Sequence, residues 1–166
     1  MATPGIHHPA RWLFTLLLAL LLPASAFAER YAIFVHQSLP LEKVSSRDLA
    51  RLFLSESVSL GSYRLHPVNL AEKDLKFSFY QALTSMPPEK VSFHFVESEL
   101  RGEGSWPRVV FSELEVIKMI MVSRRVVGWM SWEKYQGLAD SVRKNLRLVA
   151  VDDRLPDDPG YPITTQ

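Results

Sequence analysis

The sequence predicts an α/β fold, with a mixed or mainly parallel sheet flanked by helices. Three observations predict it. Short runs rich in β-formers alternate with stretches of helical periodicity. Two capping boxes mark places where helices begin. One continuous apolar run, RVVGWM at 125–130, has the composition of a strand buried on both faces.

The elements follow in order. RYAIFVH (30–36) is the first strand, ended by Pro40. SSRDLARLFLS (45–55) is a helix: Ser45 caps it, Asp48 bonds back, and Leu49, Leu52 and Phe53 form one buried stripe. RLHPVNL (64–70) is the second strand. Its Pro67 lacks an N–H, which favours an edge position or a break in the ladder. From Asp74 the pattern turns helical through Phe79, Ala82, Leu83 and Met86, until Pro87 and Pro88 stop it. A further helix covers 89–97, and RGEGSWP (101–107) is a loop. Ser112 and Glu115 form the second box, ahead of a helix carrying Leu114, Ile117, Ile120 and Met121. RVVGWM takes a central place in the sheet, and NLRLVAV (145–151) is the fourth strand. Proline and aspartate dominate 152–166, which reads as a loose tail.

The first 28 residues read as an export signal. Arg11 is their single charge, an apolar run follows at 12–22, and Ala26-Phe27-Ala28 offers small residues at −3 and −1. Cleavage is expected after Ala28, leaving one domain at 29–151 and the tail, in the periplasm. The run is too short for a membrane span. The chain has no cysteine, so neither a disulfide nor a lipid-modified thiol is expected. The formal charge is +1, and removal of Arg11 brings it to zero. That balance gives no reason to expect nucleic acid or an anionic membrane as partner.

No catalytic elbow, phosphate-cradling glycine loop or zinc-protease motif is present, so no enzyme activity and no cofactor are expected. His36, His66 and His94 have no second histidine at i+4 and no cysteine to join them, so no metal site is expected. The candidate site is the junction LHPVNLAEKDLKF (65–77), where a strand runs into a helix. The first turn of a helix offers free N–H groups to an anion, and Lys73 and Lys76 add charge. Asp74, read as the N-cap, would occupy those N–H groups and repel a dianion. Gln37 and Ser38 follow the first strand, at a carboxyl end where parallel sheets hold ligands. Of the tryptophans, Trp129 reads as core, whereas Trp106 and Trp132 sit where a protein partner could meet them.

Several segments together resemble a known pattern. Val44-Ser45-Ser46-Arg47-Asp48-Leu49 with Leu52-Phe53, then Pro67-Val68-Asn69, Lys76 with Phe79, Gly102-x-Gly104 with Pro107, and the helix from Ser112 ending in Val127-Gly128-Trp129-Met130 resemble, in order and spacing, the phosphate-transporter branch of type 2 periplasmic binding proteins. The resemblance covers about 31–135. It implies one lobe of that two-lobed fold, a non-catalytic role, inorganic phosphate or a related oxyanion as ligand, and delivery to a transporter. It further implies that the family arginine falls near Asn69 and the Ser-Gly-Thr loop near Lys73-Asp74-Leu75, so both ligand groups are replaced here. The rival expectation is a protein–protein interaction module of the envelope that kept the fold and lost the ligand. A third is a sensor whose second lobe comes from another chain or a second copy.

Overall fold

The computed structural model describes residues 28–56, 58–103 and 106–165. The expected signal segment, apart from Ala28, lies outside the described residues. Among the described residues no helix is long and apolar enough to cross a membrane.

The strands are β1 (Tyr31–His36), β2 (Lys43–Val44), β3 (His66–Leu70), β4 (Arg108–Val110), β5 (Val126–Ser131), β6 (Leu146–Leu148) and β7 (Ala150–Val151). The helices are α1 (Ser46–Phe53), α2 (Lys73–Thr84), α3 (Pro88–Leu100), α4 (Glu113–Val122), α5 (Trp132–Gln136) and α6 (Asp140–Arg143). A five-stranded mixed sheet has the order β4-β3-β5-β1-β6, and β2 pairs β7 in a small second sheet. β3 runs parallel to β4 and β5, while β1 is antiparallel to β5 and β6.

β5 lies at the centre of the sheet and is buried along its whole length, as RVVGWM suggested. Its alternating side chains set the two layers. Trp129 faces α2, stacked on Phe79 at 4.0 Å between ring centroids, with Phe53 of α1 edge-on to Phe79. Gly128 faces α4. A Cβ there would lie 2.4 Å from Val116 and 3.0 Å from Ile120, so only glycine lets the helix approach this closely. Both capping boxes form: the Ser45 hydroxyl accepts from the Asp48 N–H, and the Ser112 hydroxyl from the Glu115 N–H.

Several expectations need correction. β3 is interior, not an edge strand. The His66 N–H bonds Arg125 on the β5 side, so alternation turns Pro67 towards β4, and the ladder to β4 begins only at Val68. The break in the ladder is therefore real, and the edge position is not. The single strand at 145–151 is two, β6 pairing β1 and β7 pairing β2. The three-residue β4 emerges where only loop and helix were expected. The segment after Val151 is not loose. Tyr161 and Ile163 are 4% and 1% exposed, the Tyr161 hydroxyl donates to the Tyr31 carbonyl at 2.9 Å, and the Tyr31 N–H donates to Ile163 at 3.1 Å. Its prolines and aspartates make turns, while the alternation of Tyr161 and Ile163 sends two large side chains into the core.

Candidate functional site

The carboxyl ends of the parallel strands β3, β4 and β5 lead into α2, α4 and α5, so three helix starts gather at one end of the sheet. This is where an α/β sheet holds an anionic ligand. Lys73 and Asp74 stand there, exposed, in the first turn of α2. The N-cap of α2 is Glu72, without a side-chain capping bond, and Asp74 lies inside the helix rather than capping it. The helix starts earlier than the sequence pattern suggested because Glu72 and Lys73 tolerate the first turn without breaking the apolar face behind them.

Asn69 is not available to a ligand. It is fully buried, and its Nδ2 donates to the Tyr80 hydroxyl at 2.9 Å, which in turn donates to the Phe53 carbonyl at 3.0 Å. Burial pushes the Tyr80 hydroxyl pKa well above the ordinary tyrosine range. Among the described residues the Asn69 Oδ1 and the Trp129 Nε1 are buried without a hydrogen-bond partner. The position that the resemblance matched to a ligand-binding arginine is thus a polar link within the core.

Lys76 points elsewhere. Its ammonium lies 4.6 Å from the Trp106 ring centroid and 5.2 Å from that of Phe77, a cation–π arrangement. Burial first, and then the charge of Lys73, lower its pKa. Gln37 and Ser38 lie at the opposite end of the sheet, because β1 runs against β5. Pairing of Val35 and Pro67 with the same residue, Val127, puts Gln37 level with Arg125 and Leu70 level with Met130, roughly 16 Å apart along the strands. There Gln37 is held in a turn. Its N–H donates to Asn145, its carbonyl accepts from Arg147 at 3.0 Å, and the Ser38 N–H donates to His36 Nδ1 at 3.1 Å. The six candidate residues therefore do not form one site.

What does gather at the helix starts is acidic. Glu113 opens α4 and pairs with Lys134 of α5. The hydrogen bond to Glu113 raises the Lys134 pKa, against a smaller opposing effect of burial, and the charges of Glu113, Glu72 and Glu29 raise it further. Burial alone would push Glu113 up, but the Lys134 bond, a backbone bond and the Lys134 charge together hold it below the ordinary carboxylate value. One carboxylate, Glu113 in the first turn of α4, thus pairs with an ammonium of the chain itself, and two more, Glu29 just before β1 and Glu72 at the N-cap of α2, act on it by charge. Sequence reasoning missed them, since an acid in a first helical turn is ordinary and only the topology brings these together. Trp106 is half-buried and stacks on Phe95 at 3.9 Å, and Trp132 stacks on Tyr135. The described residues hold no group of three or more His, Cys, Asp or Glu able to bind a metal ion.

No protein-family profile and no curated protein matches the chain. Solved structures do match in fold, and they are phosphate-transport substrate-binding proteins, so the chain has one lobe of a type 2 periplasmic-binding-protein-like fold. An ABC-type phosphate transport receptor from Vibrio cholerae superposes with a TM-score of 0.60 at 14% identity, over 83% of this chain and 54% of that one. PstS from Borrelia burgdorferi gives 0.54 at 13%, over 84% and 55%. A putative phosphate ABC transporter substrate-binding protein from Clostridium perfringens, solved with bound phosphate, gives 0.55 at 9%, over 83% and 53%. The chain spans about half the length of the structures it matches, and at these identities the likeness is one of fold alone.

Proposed function

We propose that the chain is a non-catalytic, exported binding domain that keeps the phosphate-binding-protein fold but recognises a protein partner in place of an enclosed phosphate. The observation that carries this reading is the group of carboxylates, Glu29, Glu72 and Glu113, around Lys134 at the helix starts. Each repels a dianion placed beside it by on the order of 1 kcal/mol or more, and the ammonium that would offset them is already paired with Glu113. The matched proteins named for phosphate transport support a small anion as the ancestral ligand.

One observation favours the second reading, phosphate held weakly at α2. The first turn of α2 has no side-chain cap, and Lys73 is exposed beside it. Thermal unfolding of the purified protein with phosphate, sulfate and small organic anions separates the two. A ligand at 100 times its dissociation constant adds about 2.7 kcal/mol through linkage, which for a domain of this size raises the melting temperature by roughly 10 °C. An unmoved melting temperature is expected, and a rise with phosphate overturns the first reading.

A further inference from the structure

The other end of the sheet carries an open groove of about 590 Å³. We infer that this groove binds a small amphipathic carboxylate, a molecule with one carboxylate and an apolar body of aromatic or short aliphatic kind. The inference does not rest on the partner reading, because the groove lies at the opposite end of the strands from Lys73 and Lys134.

The register fixes its floor. Arg108 sits beside Val68 across the parallel β3–β4 pair, and His66, two residues before Val68, sits beside Val126. In-register neighbours and residues two apart point to one face, so His66, Val68, Arg108 and Val126 share a face. It is the face of Gly128, which α4 covers through Val116 and Ile120. The last turns of α4 leave the beginning of the strands open: Met119 and Ser123 only frame it, along with Trp106 and the end of α1. The floor, Val68 and Val126, is 1% and 4% exposed.

Charge is the second argument. Arg64, His66 and Arg108 line the groove, and among the described residues none of the three side chains makes a hydrogen bond or ion pair. Glu56, the acid on the rim, is taken by Arg51 at 2.6 Å. Two guanidiniums are thus left without a counter-charge over an apolar floor. Cations near the ends of α1 and α4 could instead serve the free carbonyls of those helices, but neither Arg64 nor Arg108 bonds one. A guanidinium fork matches a carboxylate with two parallel N–H···O bonds. A bare phosphate would leave the half-buried Trp106 and Met119 wet, whereas an apolar body covers them, and the volume falls within the usual range for small-molecule sites.

The test titrates the purified full chain with benzoate and hexanoate, with benzamide as the neutral isostere and inorganic phosphate as the bare anion, following backbone amide chemical shifts. Saturable shifts are expected at Val68, Arg108 and Val126 with both acids, with benzamide weaker by at least about tenfold. The double variant Arg64→Gln/Arg108→Gln changes only exposed side chains and should weaken benzoate by a similar factor. Lys134→Gln, at the far end, should leave it unchanged. The inference is overturned if benzamide binds as well as benzoate, if phosphate shifts the same amides as strongly, if the double variant binds normally, or if neither acid gives a saturable shift.

Discussion

Replacing Tyr80 by Phe tests whether Asn69, the position that the resemblance matched to a ligand-binding arginine, belongs to the core. The substitution removes one oxygen and nothing else. That hydroxyl accepts from Asn69 at 2.9 Å and donates to the Phe53 carbonyl at 3.0 Å, and all of this is buried. Its loss strands a donor and an acceptor where water does not reach. Each stranded group costs about 1–3 kcal/mol, so the pair should cost about 2–6 kcal/mol. In a domain of this size that lowers the melting temperature by roughly 10 °C or more. The matched control is Tyr161→Phe, which breaks one buried bond, to the Tyr31 carbonyl at 2.9 Å, and should cost about 1–2 kcal/mol. Urea unfolding of both variants, with unchanged m-values, gives the comparison directly. Equal losses, or a Tyr80→Phe loss below about 1 kcal/mol, would refute the assignment of Asn69 and Tyr80 to a buried link.

Other substitutions probe the rest of the structure. Gly128→Ala forces a methyl to within 2.4 Å of Val116 and should destabilise by about 1–3 kcal/mol in urea. Ile163→Ala should cost about 2–4 kcal/mol, where a loose tail would show almost nothing. Lys134→Met should cost under about 1 kcal/mol at neutral pH, since the pair is partly exposed. The Glu113 carboxyl titrates below its ordinary value in the fold, so its contribution is present above that value and lost as pH falls through the folded pKa. The gap between wild type and Lys134→Met, followed by thermal unfolding against pH, should therefore close in acid.

What was legible in the sequence was local or long. The two serine caps announce α1 and α4 because a hydroxyl and an acid three residues on are enough to start a helix. RVVGWM announces the centre of the sheet because both faces of β5 are apolar. What was not legible was short or distant. β2 and β4 have two and three residues, too few for any period to register, and the single run at 145–151 gave no sign that it divides into β6 and β7, paired with different strands. The prolines and aspartates of the last segment hid the alternation of Tyr161 and Ile163 that anchors it. The order and spacing of weak motifs were enough for the fold, yet they matched Asn69 to a ligand-binding arginine, whereas Asn69 is fully buried. Gln37 and Ser38 misled because the carboxyl-end rule applies to parallel strands, and β1 runs the other way. Glu29 and Glu113 are far apart in sequence, and only the chain path brings them to one ammonium.

Titration calorimetry of inorganic phosphate into the full chain, beside a Glu72→Ser/Glu113→Ser variant, tests most directly whether carboxylates have displaced the oxyanion. The wild type should give no saturable heat, and the variant, relieved of two negative charges and given two hydroxyls, should gain measurable affinity. Micromolar phosphate binding by the wild type would contradict the account.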